Sequence, residues 1–175
     1  MQTDIQKFQS IVYAYYHQNK RDLPWRHTQD PYHIFVSEVM LQQTQVSRVL
    51  TKYPLFLERF PTLKTLSQSN LTDVLSVWQG MGYSRRALYL KQSAQRMVDS
   101  YDATVPNDPV LLDSLPGIGY ATACSICVYA FNRALPFIET NVRRVFIHHF
   151  FQDTTGIDDR KIMPLVEQSL NYKVS

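Results

Sequence analysis

One carboxylate in the stretch VSEVMLQQTQV, residues 36–46, could act as an acid. On a helical projection at about 100° per residue, Glu38 falls between Ile34 and Phe35, so its neighbours are apolar. Burial among apolar groups disfavours the charged form of a carboxyl group, which raises its pKa and lets it hold a proton near neutral pH. The position therefore predicts a general acid; the alternative is a buried glutamate that an arginine satisfies.

Two glycines in LLDSLPGIGYATA, residues 111–123, form a second candidate site. Gly117 and Gly119 permit close backbone approach, and the helix that follows them begins with unpaired N–H groups. Such donors bind phosphate, and contact with the sugar-phosphate backbone anchors a protein on DNA without reading its sequence. The alternative is a plain turn between two helices, which the small residues Ala121 and Ala123 make less favoured because they permit close packing.

Positive charge is concentrated in two groups, although the net charge is only +3. Residues 81–97 hold four cations and no anion, and a second group follows the hairpin: Arg85, Arg86, Lys91 and Arg96, then Arg133, Arg143 and Arg144. Such groups fit a nucleic-acid surface and fit a solvated helix face equally well.

Length and composition limit the remaining possibilities. A chain of 175 residues with 45% apolar content forms one domain, or two small lobes that share a cleft. Apolar residues recur at the helical period, which predicts an all-α fold. Cys124 and Cys127 are too few for a tetrahedral metal site, and as core thiols they favour a reducing, cytoplasmic compartment. No apolar run approaches 18 residues, so we expect neither a signal peptide nor a membrane span.

Cap and turn signals divide the chain into helices. Asp30, followed by Pro31, is a predicted N-cap for a helix that runs through Glu38 to about residue 43. Asn70 is a predicted N-cap for the segment LTDVLSVWQ. Further helices are expected over residues 46–60, 84–101, 110–115, 121–131, 142–151 and 159–170, after a first helix that ends before Arg21.

Several motifs together carry a family resemblance. LPWR, SEVMLQQTQV, VWQGMGYSRRA, LPGIGYATA and NVRRV, in this order, resemble the helix-hairpin-helix DNA glycosylase superfamily, and most of all its MutY branch of adenine DNA glycosylases. The resemblance implies an all-helical protein of two lobes, one of about residues 28–136 and one of residues 1–20 with 137–175, with the active-site cleft between them. It implies double-stranded DNA with a mispair or damaged base as the partner, and we expect a monomer.

The resemblance assigns the chemistry to two carboxylates. Adenine is a poor leaving group unless it is protonated, so Glu38 would deliver a proton to the flipped-out base and then assist water. The second carboxylate of the family is an aspartate, whereas this chain has Glu139, and Asn141 matches an asparagine beside the sugar. Thr140 or Asn141 could cap the next helix, which would favour Glu139 as an anion near its positive end. The extra methylene would cost on the order of a hundredfold in rate.

The remaining assignments concern DNA contact. Gln42 and Gln43 match residues that wedge into the duplex, and Arg26 matches one that lines the adenine pocket; for each glutamine an ordinary helix-surface role is the alternative. Ala121 stands where strand-cutting relatives have a lysine, and alanine cannot form an imine, which predicts a monofunctional glycosylase. The expected DNA-binding residues are Arg26, Gln42, Gln43, Thr44, Tyr83, Arg86, Gly117, Ile118, Gly119, Tyr120, Ala121 and Arg143.

Two departures bear on cofactors and specificity. Family members usually carry a four-cysteine iron–sulfur loop after the last helix, but no cysteine follows Cys127, so we expect no cluster in this chain, which is either clusterless or cut short. Binding of a monovalent cation by the main-chain carbonyls of the hairpin is an open alternative. Ser84 stands where the family usually has a second tyrosine, and serine cannot stack on a base, so recognition of oxidised guanine opposite adenine is in doubt.

Three functions are consistent with these residues. The favoured one is a monofunctional DNA N-glycosylase of base excision repair that removes adenine opposite guanine or 8-oxoguanine. The second is a glycosylase for thymine, uracil or an alkylated purine, because Glu139 and Ser84 lie where specificity can change. The third is a lesion-binding DNA protein without catalysis.

Overall fold

The computed structural model describes residues 2–152 and 154–170, and within these residues it contains helices and no β-strand, which confirms the predicted all-α class. The α helices are α1 Gln2–Asn19, α2 Pro31–Leu41, α3 Val46–Arg59, α4 Leu63–Gln68, α5 Leu71–Trp78, α6 Arg85–Ser100, α7 Pro109–Asp113, α8 Tyr120–Phe131, α9 Thr140–Phe150 and α10 Asp159–Ser169. A 3-10 helix, Pro24–Arg26, precedes α2. None of the described helices combines the length and the apolar composition that crossing a membrane requires.

The chain divides into two compact units, Leu23–Arg133 and Met1–Asp22 with Ala134–Ser175. The larger unit is organised around α2, which packs against α3, α6 and α8. Because neighbours surround it, α2 is apolar on nearly every side, with Ile34, Phe35, Val36, Val39 and Met40 all buried. The active-site cleft expected from the resemblance stays a prediction.

Small side chains allow α8 to pack closely within the larger unit. Ala123, Cys124, Ile126 and Cys127 are fully buried, so the two cysteines belong to the core. Burial raises the pKa of both thiols.

The smaller unit has its own apolar core. Phe8, Phe146, Ile162 and Val166 form its centre, and the rings of Phe8 and Phe146 lie 4.9 Å apart. The side-chain amide of Gln9 donates to the carbonyl of Ser169 at 2.9 Å, which ties α1 to the end of α10. This unit therefore positions α9, the helix that follows Glu139.

Side-chain caps start α2 and α4, whereas the cap predicted for α5 is absent. The Asp30 carboxylate accepts from Tyr32 N at 2.8 Å and from His33 N at 3.3 Å, so the predicted N-cap of α2 is confirmed. Asn70 precedes α5 as expected, but its side chain makes no capping hydrogen bond, so that capping role is wrong. A Thr62–Thr65 capping box starts α4, a helix that the sequence reading did not predict.

We expect Asp30→Ala to lower the free energy of unfolding by about 1 kcal/mol, because two N–H groups of α2 lose their acceptor. Asn70→Ala is the matched control, since it removes a side chain that makes no capping bond. Urea denaturation followed by circular dichroism measures both variants against the parent chain. Equal losses in the two variants would show that the Asp30 cap does not stabilise α2.

Candidate functional site

Glu38 lies in the second half of α2 and is half-buried. Its sequence neighbours Ser37 and Val39 are buried, as are Ile34 and Phe35 on the preceding turn. Glu38 therefore lies among mostly buried residues of α2 and keeps access to the surface, which a group that transfers a proton to a large substrate needs. Its assignment as the acid stays a prediction that this placement supports.

The end of α2 contacts the two-glycine hairpin directly. The side-chain amide of Gln42 donates to the carbonyl of Gly117 at 3.2 Å and to the hydroxyl of Thr122 at 3.3 Å. Gln43 follows with a φ of 51° and an exposed side chain. The two glutamines thus differ: Gln42 is half-buried and bound to the hairpin, whereas Gln43 projects from the surface.

The hairpin approaches α6 so closely that only glycine fits at its first position. Gly117 has a φ of 72°, and a Cβ added there would lie 2.6 Å from Cδ2 of Tyr89. Ser93 donates to the carbonyl of Pro116 at 3.1 Å, and Arg96 donates to that of Ser114 at 3.1 Å. Side chains of α6 therefore hold the hairpin in place.

The start of α8 is open to solvent. Gly119 is the residue before the helix, it offers no side chain to cap the first N–H groups, and nothing lies within 4 Å of the position a Cβ would take. Tyr120 is exposed, and Ala121 is half-buried. Ile118 was expected to bind DNA, but its side chain is buried in the core, so any contact it makes is restricted to its main chain. Unpaired helix N–H groups on an open surface suit an anion.

Arg86 is held by hydrogen bonds within the larger unit, and its predicted contact with DNA stays a prediction. It is 9% exposed, and its guanidinium group donates to the carbonyls of Val39 and Met40 at 3.1 and 3.0 Å. It also donates to the hydroxyl of Thr44 at 2.7 Å. Burial lowers the pKa of Arg86 from its usual value. These hydrogen bonds would compete with any contact between Arg86 and a phosphate.

A cavity of about 740 Å³ brings several of the predicted residues together in the larger unit. Tyr83, with a φ of 46° and 63% of its surface exposed, stands on one side of it. Gln42, Gln43, Ser84, Arg86, Tyr89 and Thr122 also line it. An exposed aromatic ring can stack on a planar group such as a nucleobase, and the neighbouring amides can hydrogen-bond to it.

Arg26 lies at the end of the 3-10 helix, stacked on a partner that the sequence did not indicate. Its guanidinium carbon is 3.9 Å from the centre of the Tyr129 ring, in a cation–π arrangement. Tyr129 belongs to α8, about one hundred residues along the chain, and no motif marks it. The stack fixes the direction of an otherwise exposed arginine.

In the smaller unit, Glu139 is itself the N-cap of α9. One carboxylate oxygen accepts from Val142 N at 3.0 Å, and the other accepts from the side-chain amide of Asn141 at 3.2 Å. The expectation that Thr140 or Asn141 caps this helix is therefore wrong. Both oxygens of Glu139 are held by nitrogen donors, so the carboxylate has a fixed orientation at the positive end of α9.

Arg143 lies one turn further along α9 and is already engaged. Its guanidinium group binds both carboxylate oxygens of Asp159, with an Nε–Oδ1 distance of 2.7 Å. Hydrogen bonding to Arg143 lowers the pKa of Asp159 from its usual value. Contact between Arg143 and DNA stays a prediction, and it would compete with this pair. Within the described residues, no three His, Cys, Asp or Glu side chains are placed to hold a metal ion.

Comparison with known proteins adds an independent line of evidence. Residues 36–171 match a family model described as the HhH-GPD superfamily base excision DNA repair protein. The chain is 37% identical over 143 residues to the adenine DNA glycosylase of Buchnera aphidicola subsp. Baizongia pistaciae, a match that covers 82% of this chain and 41% of the relative. It is 41% identical over 133 residues to the adenine DNA glycosylase of Mycobacterium tuberculosis strain CDC 1551 / Oshkosh, covering 75% of this chain and 44% of the relative.

The fold is similar to that of a solved thermostable thymine-DNA glycosylase. The TM-score is 0.87 at 25% sequence identity, and the match covers 95% of this chain and 78% of the other. The chain spans less than half the length of the two curated relatives described above.

We expect Gly117→Ala to destabilise the larger unit by more than the ~1–2 kcal/mol that left-handed backbone costs an L-residue, because the new methyl group also meets Tyr89. Gly82→Ala is the matched control, since Gly82 has the same φ of 72° with nothing within 4 Å of its Cβ position. Urea denaturation compares the two variants, and adding Tyr89→Ala should recover the excess loss. Equal losses at the two glycines would contradict the close contact.

Proposed function

The chain belongs to the HhH-GPD superfamily of base excision DNA repair proteins, and we propose that it is a monofunctional DNA N-glycosylase that removes adenine from mispaired duplex DNA. The observation that carries this proposal is Glu38, a half-buried glutamate on a helix whose other residues are mostly buried and apolar. Support for adenine as the base comes from the two relatives, which are adenine DNA glycosylases and match most of this chain.

Glu38 acts as the acid in the proposed reaction. Its carboxyl proton passes to a ring nitrogen of the extruded adenine, and the bond between the sugar and the base then breaks with its electron pair leaving on the base. Water adds to the sugar carbon, and its proton returns to the Glu38 carboxylate. The reaction is acid–base chemistry throughout and needs no redox cofactor.

Glu139 supplies the anion that stabilises positive charge developing on the sugar. Its two oxygens are already oriented by Val142 N and by the Asn141 amide, so little reorganisation is needed when that charge appears. Ala121 carries no amine, so no covalent imine forms and the DNA strand stays intact.

Double-stranded DNA is the proposed partner, bound by a single copy of the chain. The open start of α8 at Gly119 and Tyr120 would hold a backbone phosphate. A monovalent cation at the hairpin would share carbonyls that already accept side-chain hydrogen bonds, those of Gly117 and Pro116 among them.

One observation favours a second candidate, a glycosylase for another base. One similar solved structure is a thymine-DNA glycosylase, and Glu139 and Ser84 both depart from the pattern of the adenine enzymes. The identity of the base opposite adenine, guanine or 8-oxoguanine, is to be decided by the same experiment. A panel of duplexes that differ only at one pair separates these possibilities through the base that is released.

We expect Glu38→Gln to reduce release of adenine in single-turnover assays by at least about a hundredfold, the lower end for loss of a positioned general acid, while the affinity for DNA stays nearly unchanged. The matched control is Glu58→Gln, an exposed glutamate on α3, which should keep full activity. The assay uses duplexes with adenine opposite guanine or 8-oxoguanine, and with thymine or uracil opposite guanine. Undiminished turnover by Glu38→Gln would reject this residue as the acid.

We expect Glu139→Asp to raise the single-turnover rate, by up to about a hundredfold, because a shorter side chain restores the carboxylate reach of the family. Aspartate is also a good N-cap, so α9 should keep its stability, and thermal denaturation checks this. Glu139→Ala should lose both the rate and the cap. If neither the parent chain nor Glu139→Asp releases any base, the enzyme proposal fails and a lesion-binding role takes its place.

A further inference from the structure

Arg86 is the one charged residue that is buried among the described residues, and the proposed reaction does not use it. A buried cation is costly unless its donors are satisfied, so its surroundings indicate what it does. Every hydrogen bond that Arg86 makes through its terminal nitrogens reaches one of two segments, residues 39–44 or residues 81–82.

The first segment is the end of α2. One terminal nitrogen of Arg86 donates to three carbonyls there, those of Val39 at 3.1 Å, Met40 at 3.0 Å and Gln42. The last carbonyls of a helix have no partner within the helix and carry its negative partial charge, so a cation stabilises them. Arg86 therefore ends α2 at a defined residue.

The second terminal nitrogen joins this end of α2 to the turn before α6. It donates to the Thr44 hydroxyl at 2.7 Å and to the carbonyl of Gly82 at 3.2 Å. The rings of Trp78 and Tyr83 lie 5.4 and 5.5 Å from the guanidinium carbon and enclose it. The Nε atom is buried and has no acceptor, so one N–H group of the guanidinium makes no hydrogen bond, at a cost in free energy, while both terminal nitrogens keep theirs.

A non-glycine residue in the left-handed conformation lies within the first segment, and another directly follows the second. Gln43 has a φ of 51° and Tyr83 a φ of 46°, and both side chains are exposed and line the cavity of about 740 Å³. Non-glycine residues adopt this conformation at a cost and keep it only where the surroundings impose it. The guanidinium group of Arg86 bonds to residues immediately before each of them, Gln42 and Gly82.

We propose that Arg86 is a positioning residue that holds Gln43 and Tyr83 in these conformations, so that the two side chains enter the DNA together when the base is extruded. This inference rests on the proposed glycosylase function. This role requires the planar guanidinium group, whose donors have a fixed geometry. A lysine ammonium is a compact charge on a flexible side chain and cannot hydrogen-bond to both segments at once. Loss of Arg86 therefore impairs extrusion more than it impairs affinity for DNA.

The test compares Arg86→Lys with Arg59→Lys, the same substitution at an exposed residue in the last turn of α3. Four quantities are measured: amide hydrogen exchange in residues 42–44 and 80–83, the affinity for duplex DNA, the fluorescence of 2-aminopurine placed at the target base, and single-turnover base release. For Arg86→Lys we expect exchange to rise about tenfold in both segments, extrusion and single-turnover base release to fall about tenfold or more, and affinity to change less than about threefold. Arg59→Lys should match the parent chain in every quantity.

Two results would overturn the inference. One is unchanged exchange and extrusion in Arg86→Lys; the other is a loss of affinity that equals the loss of rate, which would make Arg86 a phosphate contact. If the parent chain itself releases no base, the glycosylase proposal fails separately, and hydrogen exchange in the two segments still decides the positioning role. If Arg86→Lys does not fold, Thr44→Val should show a smaller change in the same quantities, because it removes one bond from Arg86 and the weaker bonds from the Thr44 hydroxyl to the carbonyls of Gln42 and Met81 and leaves the other bonds of Arg86 in place.

Discussion

Opposite charges at the two ends of α2 constrain the helix that carries Glu38. The Asp30 carboxylate accepts from the first N–H groups, and the Arg86 guanidinium group donates to the last carbonyls, so each charge opposes the partial charge of the helix end it meets. Between these ends α2 is buried on nearly all sides by α3, α6 and α8. An eleven-residue helix held in this way has little freedom to turn or slide, which fixes the direction in which Glu38 points.

The same constraint extends from α2 to the hairpin. Gln42 follows the helix directly, and its amide reaches the carbonyl of Gly117 and the hydroxyl of Thr122. From the other side, Ser93 on α6 holds the carbonyl of Pro116. The proposed acid and the proposed phosphate anchor therefore belong to one hydrogen-bonded framework within the larger unit. Small displacements of a reacting group cost large factors in rate, so such a framework suits catalysis.

The sequence was sufficient to predict the roles of residues whose contacts involve only near neighbours in the chain. Asp30 before Pro31 and the glycines of the hairpin act over a few residues, and the structure places them in a helix cap and a tight turn as expected. The role of Arg86 was not predictable, because three of its acceptors are backbone carbonyls more than forty residues away and carbonyls leave no mark in a sequence. The N-cap of α9 was not predictable for another reason: glutamate is not among the residues preferred at this position, so the sequence pattern favours Thr140 or Asn141.

The two thiols on α8 can report how often this helix separates from the rest of the larger unit. Cys124 and Cys127 are fully enclosed, and a raised pKa leaves little of the reactive thiolate at neutral pH. A maleimide or an oxidant can therefore modify them only when α8 separates from its neighbours. The rate of alkylation of the unaltered chain measures how often the helix behind the hairpin opens, and the tightly closed state protects both sulfurs from peroxide.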